Sequence, residues 1–140
     1  MRKRVAIAST ILTLVASGAA FAAAQTGTEV RLHKTPHGRV LATSMGRTLY
    51  LSTGDGKNKS HCGGSCLTYW LPLLTTGKPV AVGGVHQSLL RRMRRSDGTR
   101  QVTYNGHPLY RYAGDTGPGQ TNGEGLGGHW FVVSAAGKRK

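Results

Sequence analysis

The stretch Gly106-His107-Pro108-Leu109-Tyr110-Arg111-Tyr112-Ala113-Gly114-Asp115 decides how this chain is read, because it has a counterpart 60 residues earlier. The counterpart is Gly46-Arg47-Thr48-Leu49-Tyr50-Leu51-Ser52-Thr53-Gly54-Asp55. Gly46 answers Gly106, Leu49 answers Leu109, Tyr50 answers Tyr110, Gly54 answers Gly114 and Asp55 answers Asp115. The same offset carries Trp70 onto Trp130, and these are the two tryptophans of the chain. Ungapped agreement of this kind means two copies of one unit, about 30–75 and about 96–135. Two copies are too few for an open solenoid, so the units are expected to pack into one small, mostly β domain. Its shared core should form around Tyr50, Trp70, Tyr110, Tyr112 and Trp130.

Working outward, Glu29 to Lys34 alternates with the strand period, Thr35-Pro36-His37-Gly38 reads as a turn, and Arg39 to Thr43 returns as a second strand. Arg100 to Tyr104 and His107 to Tyr112 are strands joined at Asn105-Gly106, a strong hairpin signal. His129 to Ser134 is the last strand. Short helical turns are expected in two places. One runs from Ser65, as cap, to Trp70, with Pro72 as the stop. The other is Val85 to Met93, where Val85, Leu89, Leu90 and Met93 form a helical stripe. Thr75 to Gly84 reads as a linker between copies, Thr116 to Gly128 as a long loop, and residues 136–140 as a mobile basic tail.

The first 24 residues have the form of a secretory signal: Arg2-Lys3-Arg4, an apolar run, and small residues allowing cleavage after Ala22 or Ala24. The apolar run is short for a membrane span. Basic residues number 19 against five acids, a net charge of +14, and only three of the cations belong to the leader. An exported cation of this strength is expected to associate with anionic polymers or lipid head groups of the cell envelope. The candidate residues are Arg91, Arg92, Arg94 and Arg95, with Lys138, Arg139 and Lys140. No nucleic-acid module is recognisable, so that partner is not expected.

Cys62 and Cys66 are the two cysteines, and in an oxidising compartment they are expected to pair and to shape the loop entering Trp70. Their rival reading is a redox pair, although the spacing is not Cys-x-x-Cys. Of six histidines, His61, His107 and His129 are the candidates for a copper, zinc or haem site, without diagnostic spacing. Tyr110 and Tyr112 project from one face of a strand, with Asp115 in the turn beyond. They form either a core with a fixed corner or a ligand platform, in which Ser52 of the first copy is the odd member. Neither Gly-x-Ser-x-Gly nor His-Glu-x-x-His occurs, and no enzyme activity is expected. Two function classes therefore stand. The first is a non-enzymatic exported binding or structural module, and the second is a redox or metal protein.

These residues carry a resemblance. Gly46 to Tyr50, Cys62 and Cys66 followed by Trp70-Leu71-Pro72-Leu73, Asp97 to Tyr110, Tyr110-x-Tyr112-x-x-Asp115, Pro118-Gly119 and Trp130 resemble the bacterial secreted-repeat or predicted-lipoprotein family with a Tyr-x-aromatic-x-x-Asp motif. The resemblance spans about Val30 to Val133 and implies an exported, repeat-built domain without an assigned activity. The chain departs from that pattern in three ways. It lacks a lipid-accepting cysteine, has Trp70-Leu71-Pro72 where relatives tend to have Trp-Pro-Pro, and carries Ser52 at the first copy's aromatic position.

Overall fold

The 60-residue offset is written into the strand ladders of the computed structural model, which describes residues 26–140 together with 18 and 19. The expected leader, residues 1–24, lies outside the described residues apart from 18 and 19. In chain order the strands are β1 (Glu29–Thr35), β2 (Gly38–Thr43), β3 (Tyr50–Ser52), β4 (Trp70–Pro72) and β5 (Val80–Ala81). They continue with β6 (Leu90–Arg94), β7 (Arg100–Tyr104), β8 (His107–Pro108), β9 (Tyr110–Tyr112) and β10 (Trp130–Val132). Three 3-10 turns cover Gly64–Thr68, Gln87–Leu89 and Leu126–Gly128. The protein is mostly β, with two repeats forming one small domain.

The central sheet has the order β10-β3-β9-β4, and its middle pair puts Tyr50 directly opposite Tyr110. On one side Trp130 pairs with Ser52 and Val132 with Tyr50. On the other, Trp70 pairs with Tyr112 and Pro72 with Tyr110, the same register advanced by one repeat. Each copy thus sends its tryptophan strand to the other copy's tyrosine strand. The copies interlock rather than stack.

Two flanking sheets complete the architecture, β2-β1-β5 and β6-β7-β8. Both are built on hairpins. In the first, Thr35 holds the turn, its Oγ1 donating to the Gly38 carbonyl at 2.8 Å and accepting from the His37 amide at 3.1 Å. In the second, Asn105 and Gly106 take positive φ values of 50° and 79°, as a two-residue hairpin turn requires. Tyr104 then pairs with His107.

Four local expectations are corrected. Val85 to Met93 is not a helix: after the turn Gln87–Leu89 the chain runs as β6, five residues in register with β7. Backbone pairing to β7 outweighs the apolar stripe, and only Leu90 of that stripe is fully buried. The 3-10 turn near the cysteines begins at Gly64 and has Gly63, not Ser65, at its cap position, with no side-chain cap. Its geometry comes from the Cys62–Cys66 bridge and the Cys66 amide bonding to the Gly63 carbonyl at 3.2 Å. Trp70 begins a strand rather than ending a helix. The segment read as a linker contains β5, which pairs in parallel with Glu29 and Val30. The basic tail also folds back: Val133 bridges to Arg139, Lys140 donates its amide to the Val132 carbonyl at 3.1 Å, and Lys140 Nζ reaches the His37 carbonyl at 3.0 Å.

Two clusters fill the interior. The aliphatic one holds Val30, Leu41, Leu49, Leu51, Leu73, Leu90, Val102, Tyr104, Leu109 and Val133, and it contains the repeat pairs Val30/Leu90, Leu49/Leu109 and Leu73/Val133. The aromatic one joins Tyr50, Trp70 and Tyr110 with Val40, Cys62 and Val132, and Tyr112 and Trp130 pack against it. Leu49 and Leu109 are both fully buried. Leu49→Ala and Leu109→Ala should each cost about 2–5 kcal/mol and match one another closely, measured by urea unfolding. A large difference between them would deny the pseudo-symmetry of this core.

Candidate functional site

At the centre of the molecule two tyrosine–aspartate pairs cross. Tyr50 of the first copy donates its hydroxyl to Asp115 Oδ2 of the second at 2.6 Å, and Tyr110 of the second donates to Asp55 Oδ2 of the first at 2.7 Å. The remaining carboxylate oxygens are also occupied. Asp55 Oδ1 accepts the His61 amide at 2.7 Å, and Asp115 Oδ1 accepts the Asn122 amide at 2.9 Å. Bonds from a phenol to a carboxylate are charge-assisted and stronger than neutral ones.

Around these bonds lies the aromatic cluster. Trp70 and Trp130 stack face to face, with centroids 3.7 Å apart and planes 5° from parallel. Tyr112 lies tilted against Trp70 at 4.7 Å, Tyr50 meets Trp70 edge-on at 5.3 Å, and Tyr110 meets Trp130 edge-on at 5.0 Å. The loop before β10 closes over this cluster at Gly123, whose amide donates to the Tyr50 hydroxyl at 3.3 Å. A Cβ at Gly123 would come within 2.8 Å of the Trp70 ring and 3.0 Å of Tyr50, so only glycine allows this approach.

A polar chain extends from the Tyr110–Asp55 pair toward the surface. Ser60 Oγ hydrogen-bonds the Tyr110 hydroxyl and accepts from Arg95 Nη1 at 3.0 Å. Arg95 also donates to Gln101 Oε1 and to the Cys62 carbonyl, each at 2.7 Å. Arg95 is therefore half-buried and committed internally, unlike the exposed Arg91, Arg92 and Arg94 beside it. Lys138, Arg139 and Lys140 are exposed, and the Arg139 guanidinium lies 4.8 Å from the centroid of the Phe131 ring.

Cys62 and Cys66 are joined as a disulfide with Cα atoms 5.4 Å apart. The histidine candidates have separate partners. His61 Nδ1 is 2.8 Å from the Gly54 carbonyl, and His129 Nδ1 is 3.4 Å from Thr53 Oγ1. His107 is half-buried, which holds its imidazole below the usual value, while Asp55 nearby acts in the opposite sense. Among the described residues, no three His, Cys, Asp or Glu side chains form a group able to hold a metal ion. Nor is any helix among them long and apolar enough to cross a membrane.

Sequence reasoning named both tyrosines and both aspartates but not that they pair across copies. It missed Ser60, Gln101 and Gly123. Only Gly123 carried a signal, as one of many glycines in a loop that must approach a core of rings.

The crossed pairs make two checkable predictions. A double-mutant cycle of Tyr50→Phe with Asp115→Ala should show a coupling of about 1.5–3 kcal/mol, whereas Tyr50→Phe with Asp55→Ala should be close to additive. Coupling within a copy rather than between copies would refute the crossing. The second prediction concerns alkali. Burial first, and then the bond to Asp115, raises the Tyr50 phenol well above its ordinary 10.0. Burial likewise raises Tyr110, with Asp55 adding to the effect and Ser60 opposing it. Because the folded chain holds these protons more tightly, their stabilisation is intact below pH 10 and is lost as pH rises above it. Tyrosinate absorbance should therefore appear for Tyr50 and Tyr110 only together with loss of near-ultraviolet circular dichroism. Complete tyrosine ionisation with the fold intact would contradict the assignment.

The profile of a lipoprotein family described as a secreted repeat of unknown function matches residues 32–74 and again residues 92–134. No curated protein and no solved structure matches the chain. With both interlocked units matched, over more than half its length, the chain belongs to this family of secreted repeats and is an exported protein.

Proposed function

We propose that this protein is a non-enzymatic binding module that holds anionic polymers or lipid head groups of the cell envelope through arginines left without acidic partners. One observation carries the reading: in the β6–β7 ladder Arg94 sits directly opposite Arg100. Like charges at opposed positions destabilise a sheet, and an incoming anion would relieve that repulsion. Arg92 shares their face by strand alternation, its Nη1 donating to the Thr76 carbonyl at 2.8 Å. Among the described residues the one salt bridge is Arg31 to Glu29, at 3.0 Å, and Asp97, the acid in the β6–β7 turn, accepts from the Thr99 amide and hydroxyl and forms no ion pair with Arg94 or Arg100. A non-catalytic role is supported by Asp55 and Asp115, whose carboxylate oxygens all accept bonds from within the protein.

The test has two readouts of opposite sign. Replacing Arg94 and Arg100 together by Gln should weaken retention on isolated envelopes and flatten its dependence on salt. The same replacement should raise unfolding stability by about 0.2–1 kcal/mol in the absence of ligand, because a repulsive pair is gone. Retention that is unchanged in the double variant, or indifferent to salt in the parent, would defeat the proposal.

A further inference from the structure

The two outer sides of the crossed pairs occupy the same place in the fold, seen twice, yet they are not alike. Beside Asp115, a cleft of about 120 Å³ is bounded by Arg47, Arg111 and Tyr112. Beside Asp55, a cleft of about 340 Å³ is bounded by Ser52, Thr53, His107, Lys138 and Arg139. The repeat offset maps Arg47 onto His107, Ser52 onto Tyr112 and Asp55 onto Asp115, so each side is an internal control for the other.

Two differences explain the larger cleft and give it a sign. On the Asp115 side Arg47 reaches across, its Nη1 donating to the Asp115 carbonyl at 2.6 Å. His107 holds the matching position on the Asp55 side and is shorter than an arginine. The folded-back C-terminus then brings two cations to this side alone. The Arg139 guanidinium carbon lies 4.8 Å from the Phe131 ring centroid, a cation–π contact that uses the ring face and leaves N–H donors for a ligand. Neither Lys138 nor Arg139 has a salt-bridge partner among the described residues. Asp55 is the one acid on the cleft wall, and both its carboxylate oxygens already accept bonds, from the Tyr110 hydroxyl and the His61 amide.

We propose that this cleft binds a phosphoryl group, with Arg139 and Lys138 donating to its oxygens. A fork of N–H donors beside a point-charge ammonium suits a tetrahedral, multiply charged anion better than a flat, singly charged one. The site is distinct from the β6–β7 arginines and stands or falls separately from them.

The test is a titration of the full exported chain, labelled with nitrogen-15, with inorganic phosphate, glycerol phosphate and phosphatidylglycerol vesicles. Inorganic phosphate should produce saturable amide shifts at Thr53, His107, Lys138 and Arg139. Arg139→Gln and Lys138→Gln should each weaken that binding by about tenfold, while Arg94→Gln should leave it within about twofold. Unchanged resonances in β4 and β9, which do not line the cleft, will confirm that the variants fold. Binding of inorganic phosphate or glycerol phosphate without vesicles identifies a soluble phosphoryl ligand. Vesicle binding that Arg139→Gln abolishes and Arg94→Gln spares identifies a lipid head group. Shifts that do not saturate, that centre on β6 and β7, or that persist in Arg139→Gln would overturn the proposal. Loss of envelope retention in the Arg94/Arg100 variant would not, because that outcome reports on the other site.

Discussion

Everything in this fold depends on two hydrogen bonds that cross. Tyr50 to Asp115 and Tyr110 to Asp55 tie each repeat to the other at the middle of the central sheet. The bonds do more than join two points. By fixing the phenols they hold the rings that Trp70 and Trp130 meet edge-on while stacking on each other, and the tryptophans belong to β4 and β10 at the sheet margins. The loop carrying Gly123 can then lie directly on the rings. Loss of one crossed bond would leave a carboxylate without its phenol donor in a site 7% exposed at Asp115. Such a group costs more than the bond itself contributes.

The constraint also explains why tyrosine and aspartate recur at the same spacing in both copies. The strand tyrosine and the acid in the following turn stand five positions apart in both copies, Tyr50 to Asp55 and Tyr110 to Asp115, which lets them face different partners. The tyrosine reads across to the other copy, whereas the aspartate caps its own loop through His61 or Asn122 and receives the other copy's phenol. One motif therefore supplies both halves of a self-complementary contact.

Much of this was legible in the residues. The offset, the aromatic set, the two hairpins and the cysteine pair all follow from local signals whose physics is short-range. What was not legible depends on pairing across the copies. The offset says that Asp55 and Asp115 are equivalent but not whose tyrosine each will meet. Val85 to Met93 reads as helical because Val85, Leu89, Leu90 and Met93 fall on one helical stripe, and so short a run does not exclude the strand period. Extending the offset backwards would have settled it, since Val30 to Lys34, an evident strand, maps onto Leu90 to Arg94. Arg95 looked like its neighbours in a basic run, and only the fold turns it inward toward Ser60 and Gln101. The tail looked free because its anchors, Val132 and His37, are backbone carbonyls that carry no sequence signature.

The exchange of tryptophan strands has a consequence for what the molecule can become. Arranged in this way, the two repeats have the geometry of a two-fold dimer, one surface patch meeting its own copy. A true dimer of identical chains must display every site twice, so a change that opens one side opens both. Joining the halves in one chain removes that obligation. Arg47 can go on closing its side while His107 leaves the other open, and Tyr112 can keep its ring while Ser52 has none. Covalent linkage is what lets a symmetric scaffold carry two unequal openings.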